Sequence, residues 1–284
     1  MSSDIAARIA RLFVYPVKSC AGVELQEAEL TETGFDLDRA WMVVDEQGQF
    51  VTQRELPRMA LIRPQLKQYE VILRAPGMLA LHLQIDTVEA PAKVRLWKDE
   101  VPAYDMGDIA AQWFSDFLGR KLRLVRFDPE YRRLSNTDWT GGAEALNQFS
   151  DGYPLLVIGE GSLAQLNDKL AQAGHASVGI ERFRPNIVVG GLEPHDEDRV
   201  EALRIAADIP VQLKPVKPCP RCPIPDIDPA TAQSSPEVST ALRTYRSDPR
   251  VNGAVTFGMN AITVQGLGAK LRVGQAVEAD LSFG

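Results

Sequence analysis

Leu79-Ala80-Leu81-His82-Leu83-Gln84-Ile85 places a leucine or isoleucine at every second position, with small or polar residues between them. Successive side chains of a strand point to opposite faces, so this period of two predicts a half-buried strand. The same character recurs on both sides. Arg11–Val17, Glu24–Leu30, Trp41–Val44, Glu70–Arg74 and Lys93–Trp97 are short β-rich runs, and Asp45-Glu46-Gln47-Gly48 predicts a hairpin turn into Phe50–Gln53.

Helical spacing is rarer. Ile109, Trp113 and Phe117 recur every four residues, predicting a helix over Asp108–Leu118 with Asp108 as its cap and Gly119 as its stop. Lys121–Phe127 reads as strand again. Asp128–Leu146 then loses periodicity and gains Pro129 and Gly141-Gly142, marking a domain junction or a flap over a site. Pro154–Ile158 reads as a buried strand. A second helix starts at Ser162, carries Leu163, Leu166 and Leu170 on one face, and ends at Gly174. Asn186–Gly190, Val211–Val216, Val255–Phe257, Ala261–Val264 and Leu271–Val273 complete the strands. Many short strands, few helices and no regular βαβ alternation predict a β-rich α+β protein with barrel-like sheets.

A chain of 284 residues can hold one large or two modest domains. Its net charge of −7 argues against a nucleic-acid binder, so any basic residues that matter are expected to act locally on a small anion. No apolar run is long enough to cross a bilayer, and Met1 to Arg11 lacks the apolar core of a signal peptide. Three cysteines, an odd number, point to free thiols in a reducing compartment; the expectation is cytoplasmic.

Two of them sit in Cys219-Pro220-Arg221-Cys222-Pro223-Ile224-Pro225. A zinc site would need four ligands, and only Cys20 and three histidines without ligand spacing remain. A thioredoxin-type dithiol has this spacing but opens a helix, which Pro223 and Pro225 oppose. Two buried structural thiols are a third reading. The fourth is a soft-metal site with one protein thiolate. There prolines 220, 223, 225 and 229 would hold the segment extended and stiff, without help from a sheet or helix, and Arg221 would favour a neighbouring thiolate. Spacing leaves these open. Asp226 and Asp228 read as turn or capping residues.

Basic residues also stand at strand ends: Lys18 with Ser19, Arg39 before Trp41, and Arg184 before Pro185-Asn186. Converging, they would make a pocket for an anionic cofactor.

Tyr15-Pro16-Val17-Lys18-Ser19-Cys20, Asp38-Arg39-Ala40-Trp41, Ser150-Asp151-Gly152-Tyr153-Pro154, Phe183-Arg184-Pro185-Asn186 and Cys219-Pro220-Arg221-Cys222 together resemble the MOSC-domain proteins, in order, from about Ile9 to Val277. The nearest group is similar to the mitochondrial amidoxime-reducing component and its bacterial relatives. The resemblance implies an N-terminal β-barrel-like domain over 1–127 and a MOSC β-barrel domain with a few helices over 128–284, with 128–147 as junction loop or flap. It implies a molybdenum cofactor (Mo-molybdopterin) with Cys222 as the catalytic metal ligand. Lys18, Ser19, Arg39, Ser150, Asp151, Arg184, Asn186 and Arg221 would bind the cofactor. Gly152 replaces a hydroxyl residue of the mitochondrial members. The implied activity is reduction of N-hydroxylated compounds such as amidoximes, hydroxylamines and N-hydroxylated bases. Electrons would come from a separate ferredoxin- or flavin-type protein, since no cysteine follows Cys222 to hold an iron–sulfur cluster. No pyridoxal phosphate, nucleic acid or membrane partner is implied. The alternative functions are a molybdenum-cofactor or sulfur carrier without turnover, and a zinc-stabilised binding module.

Overall fold

Seven strands close on themselves into a barrel. In the computed structural model, which describes residues 5–282, these are β1 (Ile5–Val14), β2 (Leu155–Gly159), β3 (Ile187–Gly190), β4 (Val200–Ile205), β5 (Val211–Pro220), β6 (Ala254–Gln265) and β7 (Ala276–Leu281). They hydrogen-bond in the order β2-β3-β1-β7-β4-β5-β6 and back to β2. Only β2 and β3 run parallel, joined by the helix α3 (Glu160–Gln172, labelled after α1 and α2 below); the other barrel pairs are antiparallel.

Strand alternation explains why this ring holds. Leu12, Val14, Leu155, Val157, Ile187 and Val189 fill the interior. Their neighbours Phe13, Leu156, Ile158 and Val188 point outward, where Leu166 and Leu170 of α3 cover them. A helix on one side and a barrel core on the other account for the wholly apolar run at Leu155–Ile158.

The first strand of the chain is a stave of the barrel built by later residues, since β1 lies between β3 and β7. In space, therefore, the 1–127 stretch contributes to both halves; its outermost residues 1–4, and 283–284 at the other end, lie outside the described residues. The rest of the first half forms a four-stranded sheet (Trp41–Val44, Arg123–Phe127, Asp99–Asp105, Ala90–Leu96) and a three-stranded sheet (Arg63–Leu66, Glu70–Arg74, Leu81–Gln84). Helix α1 (Gly107–Leu118) packs Phe114 and Phe117 on Trp41, Val43 and Leu124.

Several expectations shift. The alternating segment is strand only over Leu81–Gln84; Leu79 is 89% exposed, and its carbonyl accepts from Trp113 Nε1 at 2.7 Å. Helix α1 stops at Gly119 in the left-handed conformation, but Ile109 is 81% exposed and Asp108 lies inside the first turn rather than capping it. Glu24–Leu30 splits at Gln26: Val23–Leu25 pairs with β1, while Glu27–Thr31 pairs with Lys270–Arg272. The second helix begins at Glu160, two residues before Ser162.

The 128–147 segment is a closed excursion tied at its base. Ser135 N–H donates to Ala145 O, and the buried Arg133 donates to Asn147 Oδ1 and to the carbonyls of Gln148 and Ser150. Its tip carries the short helix α2 (Thr137–Thr140), where Trp139 packs against the cluster of Ala145, Tyr153 and Ile262.

Candidate functional site

Arg39 and Arg184 reach one place because the backbone bends to bring them there. Ser19, Arg39 and Arg184 all have positive φ (67°, 54° and 59°), a conformation that costs a side-chain-bearing residue energy. Three such residues around one recess mark strain held in place by the surrounding fold. Tyr15, buried just past β1, stacks beneath both guanidinium groups, with Arg39 Cζ 4.5 Å and Arg184 Cζ 4.3 Å from its ring centroid. Arg39 is further held by Asp38 and by the carbonyl of Arg184. Arg184 donates to Cys20 O at 2.5 Å. Burial first, then the charge of Arg39, pulls Arg184 down to about 10, so it stays protonated at neutral pH.

These residues line a pocket of about 790 Å³ of empty space, open to solvent, where the barrel meets the first-half sheets. All nine site residues named from the sequence border it: Lys18, Ser19, Arg39, Ser150, Asp151, Arg184, Asn186, Arg221 and Cys222. So do Cys219, Thr52, Arg54 and Asn260, none of which sequence reasoning assigned a place there. Five basic side chains against one carboxylate give a locally positive recess in an acidic protein.

Lys18 is buried and donates to Phe149 O at 2.8 Å and Asp151 Oδ1 at 2.6 Å. Burial lowers its pKa, and Asp151 opposes the shift. Burial of the recess raises the Asp151 carboxyl, but Lys18, Arg54 and Arg39 outweigh it and hold Asp151 below the usual carboxylate range. With its side chain 68% exposed, water screens much of that effect. Asn186 is 1% exposed and has committed its amide: Oδ1 accepts from Leu156 N and Arg39 Nη1, and Nδ2 donates to Phe13 O. It shapes the pocket wall by pinning β1 to β2.

The cysteine loop differs from its expected form. Cys219 and Pro220 are the last residues of β5, and Arg221 N–H donates to Val255 O at 2.8 Å, so the sheet does hold this segment. Pro223 is helical rather than extended and leads into a single 3₁₀ turn, Ile224–Asp226. Asp226 Oδ1 accepts from Ser239 N in the first turn of α4 (Glu237–Arg243), and Asp228 Oδ1 accepts from Ala230 N and Thr231 N, so both are structural turn residues. Arg221 Nη1 donates to Cys219 Sγ at 3.0 Å and Nη2 to Phe183 O at 2.8 Å. Its contact is with Cys219, not Cys222. Arg221 Nε is buried and has no acceptor among the described residues, which fits a pocket whose anionic ligand supplies one. Cys20 is buried, and burial pushes its thiol up to about 12. Among the described residues no three His, Cys, Asp or Glu side chains are grouped to hold a metal, so no four-ligand zinc set is present there. Nor is any helix among them long and apolar enough to cross a membrane.

Two family models match the chain: the MOSC N-terminal beta barrel domain over residues 6–121 and the MOSC domain over residues 145–278. The chain belongs to the MOSC-domain family. Within it, the chain is 34% identical to the mitochondrial amidoxime reducing component 2 of Rattus norvegicus, over 95% of this chain and 82% of that protein. It is 36% identical to the mitochondrial amidoxime-reducing component 1 of Homo sapiens, over 85% and 73%. It is also 29% identical to the molybdenum cofactor sulfurase of Danio rerio, over 88% of this chain but 31% of that protein. The two MOSC matches divide the pocket between them: Lys18, Ser19 and Arg39 come from the first, Asp151, Arg184, Asn186 and Cys222 from the second.

Proposed function

We propose that this MOSC protein is a molybdenum-cofactor-dependent reductase of N-hydroxylated compounds, supplied with electrons by a separate redox protein. The observation that carries the reading is one pocket joining the Cys222 thiol to five basic side chains. A thiolate suits a soft metal, and the guanidinium groups suit a phosphate-bearing organic cofactor. The amidoxime-reducing relatives support the choice of reaction.

Arg39, Arg184 and Arg54 would hold the phosphate and pterin oxygens, with Arg221 Nε offering its unpaired donor. Lys18 and Asp151 neutralise each other and stiffen the 149–151 wall. Cys222 would be the protein ligand to molybdenum. The bound cofactor would supply the two-electron step in which N–OH and two protons become N–H and water. The chain's own part is to fix the cofactor rigidly: Tyr15 locks two of the arginines and Asn186 locks the strands beneath them.

A carrier of the cofactor or of sulfur is the second reading, favoured by the sulfurase relative. Turnover separates the two. Protein purified from a cofactor-competent host and given an artificial electron donor should reduce a model amidoxime catalytically. Stoichiometric bound molybdenum with no turnover would overturn the reductase reading and leave the carrier.

A further inference from the structure

Beside the anion pocket runs a second, larger recess of about 1080 Å³, open to solvent. The two meet at Arg184 and Ile224, which border both, and Ile224 lies two residues beyond Cys222. Ala21, Val23, Ala60, Pro64, Ile227 and Ala230 give it a small and apolar stretch of wall, shared with Gln53 and five charged residues. Gly22 forms part of the wall flat against the Tyr15 ring, where a Cβ would sit 2.5 Å from Cε1.

The charges on this recess are partly matched. Glu24 pairs with Arg11 at 2.7 Å, Arg182 with Asp228 at 3.3 Å, and Arg184 turns to the Cys20 carbonyl. Arg63, Arg184 and Glu181 are the three lining charges that make no ion pair among the described residues. The apolar part of the wall favours an uncharged occupant, because a charge placed against it would lose hydration.

We infer that this recess binds the uncharged aryl or alkyl body of the substrate and leaves its N–OH head at the Cys222 loop. The inference rests on the reductase reading for the identity of that head, and it selects neutral, bulky N-hydroxylated compounds over small ones. An apolar body buried here has no counterpart in hydroxylamine, so the two compounds should part in KM.

Ala230, an exposed lining residue, and Val23, in the strand Val23–Leu25, are each replaced by tryptophan to fill the recess. In Ala230→Trp holoprotein the ratio of KM for benzamidoxime to KM for hydroxylamine should rise about tenfold or more, as expected for losing a buried ring. Val23→Trp should raise the same ratio, with molybdenum per chain measured for every variant. Binding of benzamidoxime to the purified protein, followed by calorimetry without turnover, should be saturable and weaken by a similar factor in both variants. An unchanged KM ratio with normal molybdenum, or no saturable binding to the wild type, overturns the recess as substrate site. Absence of reduction of either compound while binding persists and responds to both variants strikes the reductase reading and leaves the recess standing.

Discussion

Glu197 gives the sharpest quantitative forecast. Its side chain is 1% exposed in the one-turn helix Asp196–Arg199, and both carboxyl oxygens lie 2.7 Å from Ser162 Oγ, which also accepts from His195 N. Burial, only partly offset by the Ser162 hydrogen bond and reinforced by Asp198, pushes the carboxyl from 4.5 up to about 7. The folded state therefore binds a proton that the unfolded chain has lost between those two values. That contribution to stability is fully present below the unfolded value and is lost as pH rises through about 7. At about 1.4 kcal/mol per pH unit, the displacement is worth roughly 3 kcal/mol. Glu197→Gln keeps the shape and removes the titration. Urea unfolding of both proteins from pH 5 to 8.5 should show the glutamine variant gaining on the wild type by most of that amount as pH rises. A difference constant to within about 0.5 kcal/mol across the range, or one moving the other way, would refute the assignment of a buried protonated carboxyl.

Tyr15→Phe removes a hydroxyl that is buried without a partner among the described residues but keeps the ring under both arginines, so thermal unfolding should shift up by an amount equivalent to about 1 kcal/mol. Asn186→Ala strands Leu156 N–H and Phe13 C=O in the interior and should cost about 2–3 kcal/mol in the same assay. In native protein freed of any cofactor, thiol alkylation at pH 8 should modify Cys219 and Cys222 and spare Cys20, whose thiol burial pushes up to about 12; equal labelling of all three would contradict the burial.

The parts of the fold open to sequence reading were those with a dense local signal. Glu70–Arg74 and Trp41–Val44 fall where their branched and aromatic residues cluster. Two barrel staves, β4 and β7, escaped because charges interrupt their apolar residues; Arg204 and Asp280 pair across the two strands, a contact between residues distant in sequence. Asp99–Asp105 was hidden by Pro102, which pairs opposite Lys93 despite lacking an N–H. At the site, residue types at strand ends pointed to Lys18, Arg39 and Arg184, and the resemblance to the MOSC-domain proteins singled out Cys222. The geometry that unites them was not legible: left-handed φ values and stacking on Tyr15 have no signature in residue type. Thr52 was read only as part of the hairpin strand Phe50–Gln53, and Arg54 lay just beyond it. Their chain in fact turns there, and Thr52 Oγ1 accepts from Arg54 N and Nε. The prolines after Cys222 misled in the opposite direction, since a fixed φ is as compatible with the 3₁₀ turn found there as with an extended chain.

The central claim is that a single sulfur, that of Cys222, anchors a molybdenum cofactor in the arginine-lined pocket. It is tested most directly by measuring molybdenum and pterin per chain in the wild type, Cys222→Ser and Cys219→Ser, all purified from the same cofactor-competent host. Near one molybdenum and one pterin should accompany the wild type and Cys219→Ser, with molybdenum lost from Cys222→Ser. Wild-type protein from that host carrying neither, or Cys222→Ser retaining full molybdenum, would contradict it.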